Sequence, residues 1–334
     1  MDEKQKLIAK TVEAINDTFG EGRAQTLGEA FEPNKLKGFI PTGNLALDWI
    51  IGKPGIPLGR VVEIAGRYGS GKSSVVASIL GHHQRAGGIG ILVDAEHSYD
   101  SSWSQVHGVL PEELIYLDPP HLQGVFDETI MAIKTVRKLS STVPIFIAVD
   151  SVSAPPTASE LEQEDSTASK QSAEHAVIIS EGLRRASSLI HQETVSLLFV
   201  SQLKDNPRAS WGKTTHKIGG SAIDFSAGLL LELVRTKYLT KDEKKIGQCI
   251  QCTSRKNKFN SADPLRVRTF DLYYGEGFRP KEILLDFLVE KDIGLVTQKG
   301  GWYEYEGNKF HKADMAEKLD DSMIQLAYEK LGIK

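Results

Sequence analysis

The chain has 334 residues, 40% of them hydrophobic and 25% charged, which predicts about two domains and excludes a disordered or collagen-like polymer. Its 40 Lys and Arg against 44 Asp and Glu leave a formal net charge of -4, which excludes nucleic-acid binding by bulk positive charge but not by a local basic groove. Two cysteines cannot build a disulfide framework, and no apolar run follows the polar start Met1–Lys6, so a cytoplasmic globular protein without a secretory signal is expected.

The first element reads as a helix. Leu7, Ile8, Val12, Ile15 and Phe19 fall on one side at helical spacing, and Gly20 can stop it. Such a stripe needs a surface to cover it, either the chain's own core or a neighbouring subunit. From Gly59 onward, strands at Val61–Ile64, Ile89–Val93, Leu114–Leu117, Ile145–Val149 and Val195–Val200 alternate with helices at Lys72–Ala86, Phe126–Leu139 and Gln171–Gln192. That alternation predicts a mostly parallel sheet covered on both faces. After Gly219 and Gly220 the runs Leu229–Val234, Gln248–Ser254 and Val267–Tyr274 follow without full helices between them, which predicts an antiparallel extension of the sheet. Beyond Gly275–Gly277, two helical segments and a Trp302–Tyr305 strand make a small α/β lobe. The longest apolar stretch, Ala227–Val234, is broken by Glu232 and is too short to cross a bilayer.

The strongest motif is Gly66-Arg67-Tyr68-Gly69-Ser70-Gly71-Lys72-Ser73, followed by Ser74. It matches the phosphate-loop pattern in full, with an apolar strand before it and a helix after it. Glycines let successive backbone N–H groups turn inward onto phosphate oxygens, and the positive end of the helix faces the same point. Lys72 adds a charge for the β and γ phosphates, and the Ser73 hydroxyl is a hard ligand for Mg²⁺. A triphosphate site also needs a carboxylate from another strand end. Ile145–Val149 followed by Asp150 supplies one that would hold Mg²⁺ through water, the alternative being a helix cap. Asp94 and Glu96 end a third strand; either could orient the attacking water, and spacing alone does not choose.

Asp94-Ala95-Glu96-His97, Val149-Asp150-Ser151, the upstream Thr42–Asp48 segment, Gly59–Ile64, Gly219-Gly220 and Lys256-Asn257-Lys258 together resemble the bacterial RecA recombinase family. The likeness runs from about Gly22 to Tyr303, and the upstream segment and the Asp-Ala-Glu-His strand end are more specific than the phosphate loop. The resemblance implies an α/β P-loop NTPase core of RecA type with a mostly parallel central sheet, an N-terminal helix and a small C-terminal α/β lobe. It divides the chain into an oligomerisation helix with a linker strand (1–35), an ATPase core (36–275) and a C-terminal domain (276–334). It implies a DNA-dependent ATPase that uses ATP and Mg²⁺ and forms filaments of itself on single-stranded DNA. Such a filament would pair that strand with homologous double-stranded DNA in recombination and repair. Glu96 then matches the water-activating glutamate. Asp100 and Trp103 match the adenine-binding positions, with Trp103 where Tyr is usual. Gln202 matches a γ-phosphate sensor, and Lys256 and Lys258 match lysines that reach the ATP of the adjacent subunit.

Two DNA-facing loops map to about 155–169 and 203–220. The first carries Glu160, Glu162, Glu164 and Asp165, so it cannot attract phosphates by charge. The second holds Lys204, Arg208, Lys213 and Lys217 around Trp211 and ends in Gly219 and Gly220, as a single-strand site requires; the alternative is a solvated loop whose Trp packs on a neighbour. Arg184 matches a phosphate contact, whereas Val177 and Asp224 stand where Arg and Lys are usual. The resemblance leads to the expectation of a strongly acidic tail, whereas this sequence closes with the mixed-charge Leu331-Gly332-Ile333-Lys334, and Phe225 keeps the aromatic that links the second loop to the adjacent ATP. Other readings are a helicase-like motor or signalling ATPase on the same core, or a nucleotide-switched DNA-binding filament with little turnover. Cys249 and Cys252 form an isolated C-x-x-C in a strand-like run, which gives zinc too few ligands.

Overall fold

The computed structural model describes residues 3–26, 38–162, 168–192, 194–205, 215–217, 222–260, 263–290, 293–311, 314, 319 and 321–333. The chain divides into two units, residues 1–37 and 38–334. In the first, α1 (Glu3–Phe19) forms where the apolar spacing predicts a helix. Asn16 closes the turn behind it by bonding both backbone groups of Ala24. The predicted stripe is open: Leu7 is 68% and Phe19 71% exposed, and no residue of the helix is buried.

The second unit begins with β1 (Phe39–Ile40), α2 (Leu45–Ile51) and β2 (Ile56–Pro57). The alternating region then runs β3 (Val61–Gly66), α3 (Lys72–Arg85), β4 (Ile89–Asp94), α4 (Ser101–Val106), β5 (Leu114–Leu117), α5 (Leu122–Leu139) and β6 (Ile145–Asp150). After α6 (Ala158–Glu162) and α7 (Ala168–Gln192) come β7 (Val195–Asp205), β8 (Thr215–Lys217) and α8 (Ala222–Ser226). A meander follows: β9 (Leu229–Lys241), β10 (Lys244–Asn257), β11 (Val267–Tyr273) and β12 (Gly277–Phe278). Last come α9 (Pro280–Val289), a three-stranded sheet of β13 (Thr297–Lys299), β14 (Trp302–Tyr305) and β15 (Asn308–His311), and α10 (Asp321–Lys330).

The main sheet has the order β12-β11-β10-β9-β3-β7-β6-β4-β5. Strands from β9 to β5 are parallel, and β9 to β12 are antiparallel. Alternate residues of each central strand enter different cores, which is why these strands read as unbroken apolar runs. Val62, Ile64, Leu92, Phe146, Ala148, Leu198 and Val200 face one core with α2 and α3. Ile91, Val93, Ile145, Ile147, Val149, Leu197 and Phe199 face the other with α5 and α7. Ile283, Leu284 and Leu288 of α9, Phe310 of β15 and Ala327 of α10 belong to the first core.

Several elements exceed their predicted spans. α5 starts at Leu122, because the His121 side chain accepts from the Gly124 N–H and caps it, and α7 starts at Ala168. β7 continues past Val200 to Asp205, where Leu203 pairs with Lys217 of β8. β9 and β10 form one long hairpin instead of the short runs Leu229–Val234 and Gln248–Ser254. Its turn residues Asp242 and Glu243 both take positive φ, 47° and 62°, as a two-residue turn of primed type requires. Its polar end is held by Tyr238, whose ring lies under Arg235 at 4.6 Å and Lys245 at 3.9 Å. Cys252 packs into the first core, while Cys249 lines a polar crevice with Lys237, Asp271 and Arg279, so the two free thiols do not share a face. No helix among the described residues is long and apolar enough to cross a membrane.

Candidate nucleotide site

The carboxyl ends of β3, β4, β6 and β7 lie side by side, where open α/β sheets place their ligands. Gly66 pairs with Gln202, and Asp94 pairs with Asp150. Beyond Gly66 the chain curls through Arg67–Gly71 into α3. A side chain at Gly66 would meet Ser70 Oγ at 2.4 Å and the Leu233 carbonyl at 2.6 Å. Gly71 takes φ 89° as the residue before the helix, and a Cβ there would meet Ile250 at 2.5 Å. The turn therefore needs glycine at both places, and a phosphate can approach its backbone closely. Gly69 also has positive φ, Tyr68 is 88% exposed, and Ser70 and Ser74 are buried.

Lys72 Nζ donates to the Arg67 carbonyl at 3.1 Å. Burial pulls its pKa down from the usual lysine range, and the negative charges of Asp150 and Glu96 oppose that. Ser73 Oγ donates to Asp150 Oδ2 at 2.7 Å. Burial pushes the Asp150 carboxyl up to about 6; the Ser73 bond lowers it, Glu96 raises it, and Tyr99 and Lys72 lower it. A hydroxyl and a carboxylate in contact at a phosphate cradle are the hard-oxygen donors that Mg²⁺ takes when phosphates complete its shell. The residues present thus fit a magnesium nucleotide.

The two candidates at the end of β4 differ sharply. Asp94 is fully buried and accepts from the Ser98 N–H at 3.2 Å, the Tyr99 N–H at 3.0 Å and the Tyr116 hydroxyl at 3.1 Å. Its oxygens hold the following turn. Glu96 is exposed, and the Ser151 hydroxyl donates to it at 2.6 Å. A carboxylate fixed on one side and open to solvent on the other can take a proton from water. His97, at φ 51°, pairs with Asp118 at 3.0 Å.

At the positions expected to hold the base, Asp100 caps α4 by accepting from the Trp103 N–H at 2.9 Å and from the Ser102 hydroxyl. Those bonds lower its pKa. Trp103 is half-buried between Tyr99, edge-on at 5.4 Å, and His107 at 4.5 Å. Spacing did not single out Tyr99, Tyr116 or Ser151. The only signal was their position beside the carboxylates, with aromatic residues interrupting a polar turn and an edge strand.

Lys256 and Lys258 are not brought to the phosphate loop of their own chain. Lys256 pairs with Leu230, which pairs with Glu63, and the Lys258 N–H bonds the Gly228 carbonyl. Both lie toward the amino end of β3. The Lys256 ammonium donates to the carbonyls of Asp224 and, at 3.3 Å, Phe225. Phe225 is 79% exposed.

In the first of the two segments expected to face DNA, residues 158–162 form α6. Glu160 accepts from the Thr157 N–H at 2.6 Å and pairs with His175 at 3.2 Å, so one of the acidic charges is engaged internally. Arg184 on α7 is exposed and 3.8 Å from Glu181, and Val177 on the same helix is 56% exposed. Lys204 is exposed on β7, and Lys217 belongs to β8. Arg208, Trp211, Lys213, Gly219 and Gly220 lie outside the described residues.

A family model described as the RecA N-terminal domain matches residues 6–279. The chain is similar to Protein RecA of Trichodesmium erythraeum, 33% identical over 312 residues that cover 92% of this chain and 81% of that protein. It is 31% identical to Protein RecA of Bifidobacterium longum, covering 92% and 75% of the two chains. It is 30% identical to Protein RecA of Nocardia farcinica, covering 99% and 94%.

Proposed function

This chain belongs to the RecA family, and from that premise we propose that it is an ATP-dependent recombinase assembling as a filament on single-stranded DNA. It hydrolyses ATP in a DNA-dependent manner and pairs the bound strand with homologous duplex DNA in recombination and repair. The observation that carries this reading is the distribution of charge. The phosphate loop, Asp150, Glu96 and Gln202 gather at the carboxyl ends of β3, β4, β6 and β7, while Lys256 lies two strands away on β10, level with Glu63 of β3, and Lys258 just beyond it, beside Gly228. A site divided in this way is complete only between two copies, so turnover depends on assembly.

The roles follow from chemistry. The Gly66–Ser73 backbone and Lys72 hold the phosphates. Ser73 and Asp150 would hold Mg²⁺, Asp150 through water; the ion neutralises charge on the phosphate oxygens when bound. Glu96, held by Ser151, takes the proton of the attacking water. Asp100 and Trp103 hold the base, and a Trp in place of the usual Tyr still offers a stacking face. Gln202, opposite Gly66, carries the state of the phosphates along β7 toward its pairing with β8 and the basic segment of sequence between the two strands. Arg184, Lys204, Arg208, Trp211, Lys213 and Lys217, with Gly219 and Gly220, form the DNA-facing surface, where charge follows the backbone and the indole stacks on bases. Val177 and Asp224 lower the positive charge of that surface.

The test is ATP hydrolysis with and without single-stranded DNA, alongside Lys72→Ala. The expected outcome is stimulation by DNA that Lys72→Ala abolishes. Equal rates with and without DNA would remove the recombinase reading and leave an ATPase of another kind on this fold.

A further inference from the structure

Tyr99 lies in the turn between β4 and α4, and the roles above do not use it. Its hydroxyl is 3.2 Å from Asp150 Oδ2, the oxygen that also accepts from Ser73, and 3.5 Å from the Ser73 carbonyl. Its backbone N–H donates to Asp94 Oδ2 at 3.0 Å. Its ring meets Trp103 edge to face, with centroids 5.4 Å apart and planes at 82°. One residue therefore touches the carboxylate at the phosphate end, the start of the phosphate-loop helix and the aromatic on the base side.

A carboxylate on one Cβ can rotate. Two donors from separate elements, α3 and the β4–α4 turn, converge on the same oxygen and fix that rotation. Tyr99 can serve as such a post because it is itself pinned to Asp94, whose own position is set by pairing with Asp150 across β4 and β6. A half-buried phenol turned toward a carboxylate and a carbonyl takes one of them as its partner. A nearby backbone carbonyl would satisfy it, yet the shorter contact is to the carboxylate. We propose that Tyr99 is a positioning residue that sets the orientation of Asp150 for the metal and couples it to the base platform at Trp103. This rests on the proposed nucleotide site.

The test uses the full chain and a fluorescent ADP derivative, titrated with and without Mg²⁺. Tyr99→Phe keeps the ring and removes the hydroxyl. Its nucleotide affinity without Mg²⁺ stays within about twofold of the parent, while the Mg²⁺ needed for half-maximal binding rises about tenfold, the scale of one hydrogen bond to a charged group. Tyr99→Leu, which also removes the contact with Trp103, weakens metal-free binding as well. In an Asp150→Asn background, Tyr99→Phe adds less than about twofold, because the coupled partner is gone. A merely structural role would lower both affinities together. An unchanged Mg²⁺ requirement in Tyr99→Phe, or an equal loss with and without the metal, overturns the assignment. A parent chain that takes up no nucleotide with Mg²⁺ removes the proposed function itself; normal uptake beside an unaltered Tyr99→Phe removes this inference alone.

Discussion

Glu96 is exposed, and an exposed glutamate samples many rotamers unless something holds it. Here the Ser151 hydroxyl donates to it at 2.6 Å from the end of the neighbouring strand β6. The carboxylate is thus oriented without being desolvated by an apolar wall. Replacing it with Gln keeps the shape and removes the base, so Glu96→Gln should lower kcat for DNA-stimulated hydrolysis by about a hundredfold or more. Ser151→Ala should lower kcat by about tenfold with KM nearly unchanged, since orientation and not ground-state binding is lost. Steady-state hydrolysis at saturating DNA checks both, and a change confined to KM in Ser151→Ala would rule out the orienting role. The phosphate loop was legible in the sequence because its residues are consecutive. Asp150 was legible because it ends an apolar strand. The choice between Asp94 and Glu96 was not legible from spacing. The groups that distinguish them, Tyr116 and Ser151, are 22 and 55 positions away from the carboxylates they bond.

Among elements, the junction of α2 with α10 carries a pH-dependent contact. Asn44 caps α2 by accepting from the Ala46 and Leu47 N–H groups. Inside that turn the Thr42 hydroxyl donates to Asp48 Oδ1 at 2.8 Å, and the Tyr328 hydroxyl of α10 donates to Oδ2. Ser78 of α3 donates to the Thr42 carbonyl at 3.2 Å, so the residue that holds this buried carboxyl is itself tied to a third helix. Burial raises Asp48 to about 7, and the bonds from Tyr328 and Thr42 only partly counter it. Between the unfolded value of 3.8 and about 7 the native chain keeps a proton that the unfolded chain has released. Stability from this group is therefore fully present below the unfolded value and is lost as pH rises through the folded one. The slope in that window is at most about 1.4 kcal/mol per pH unit. Asp48→Asn should remove it, so that the variant gains on the parent between about pH 4 and about pH 7 in denaturant unfolding. A parent and variant that keep a constant difference would show that Asp48 does not titrate on folding. Neither this cap nor several element boundaries were legible in the sequence. The β9–β10 hairpin outran its apolar runs because its far half is polar and its turn uses Asp242 and Glu243 instead of glycine. The pairing of Asp48 with Tyr328 spans 280 positions, which no local pattern records.

At the scale of the whole molecule, the distance between the phosphate loop at the end of β3 and the lysines on and after β10 makes a prediction about copies. Lys256 is level with Glu63, three residues before Gly66. That puts it about 10 Å short of the phosphate loop along the strand, and two strand spacings to the side. Its ammonium is also turned toward the carbonyls at Asp224 and Phe225. In a head-to-tail assembly every junction repeats the same pair of surfaces, so one protomer can supply the loop and its neighbour the lysines. A chain carrying Lys72→Ala lacks the first half, and one carrying Lys256→Ala with Lys258→Ala lacks the second. Each alone should show little DNA-stimulated hydrolysis. Mixed in equal amounts on single-stranded DNA, they should rebuild complete sites at about a quarter of the junctions, by random pairing of unlike faces. Recovery should follow the mixing ratio and peak near equal amounts. If the lysines instead served the loop of their own chain, no junction in the mixture would be complete and the activity would stay at the level of the separate variants. The recovered fraction, read as hydrolysis against mixing ratio, therefore decides whether the site is built by one copy or by two.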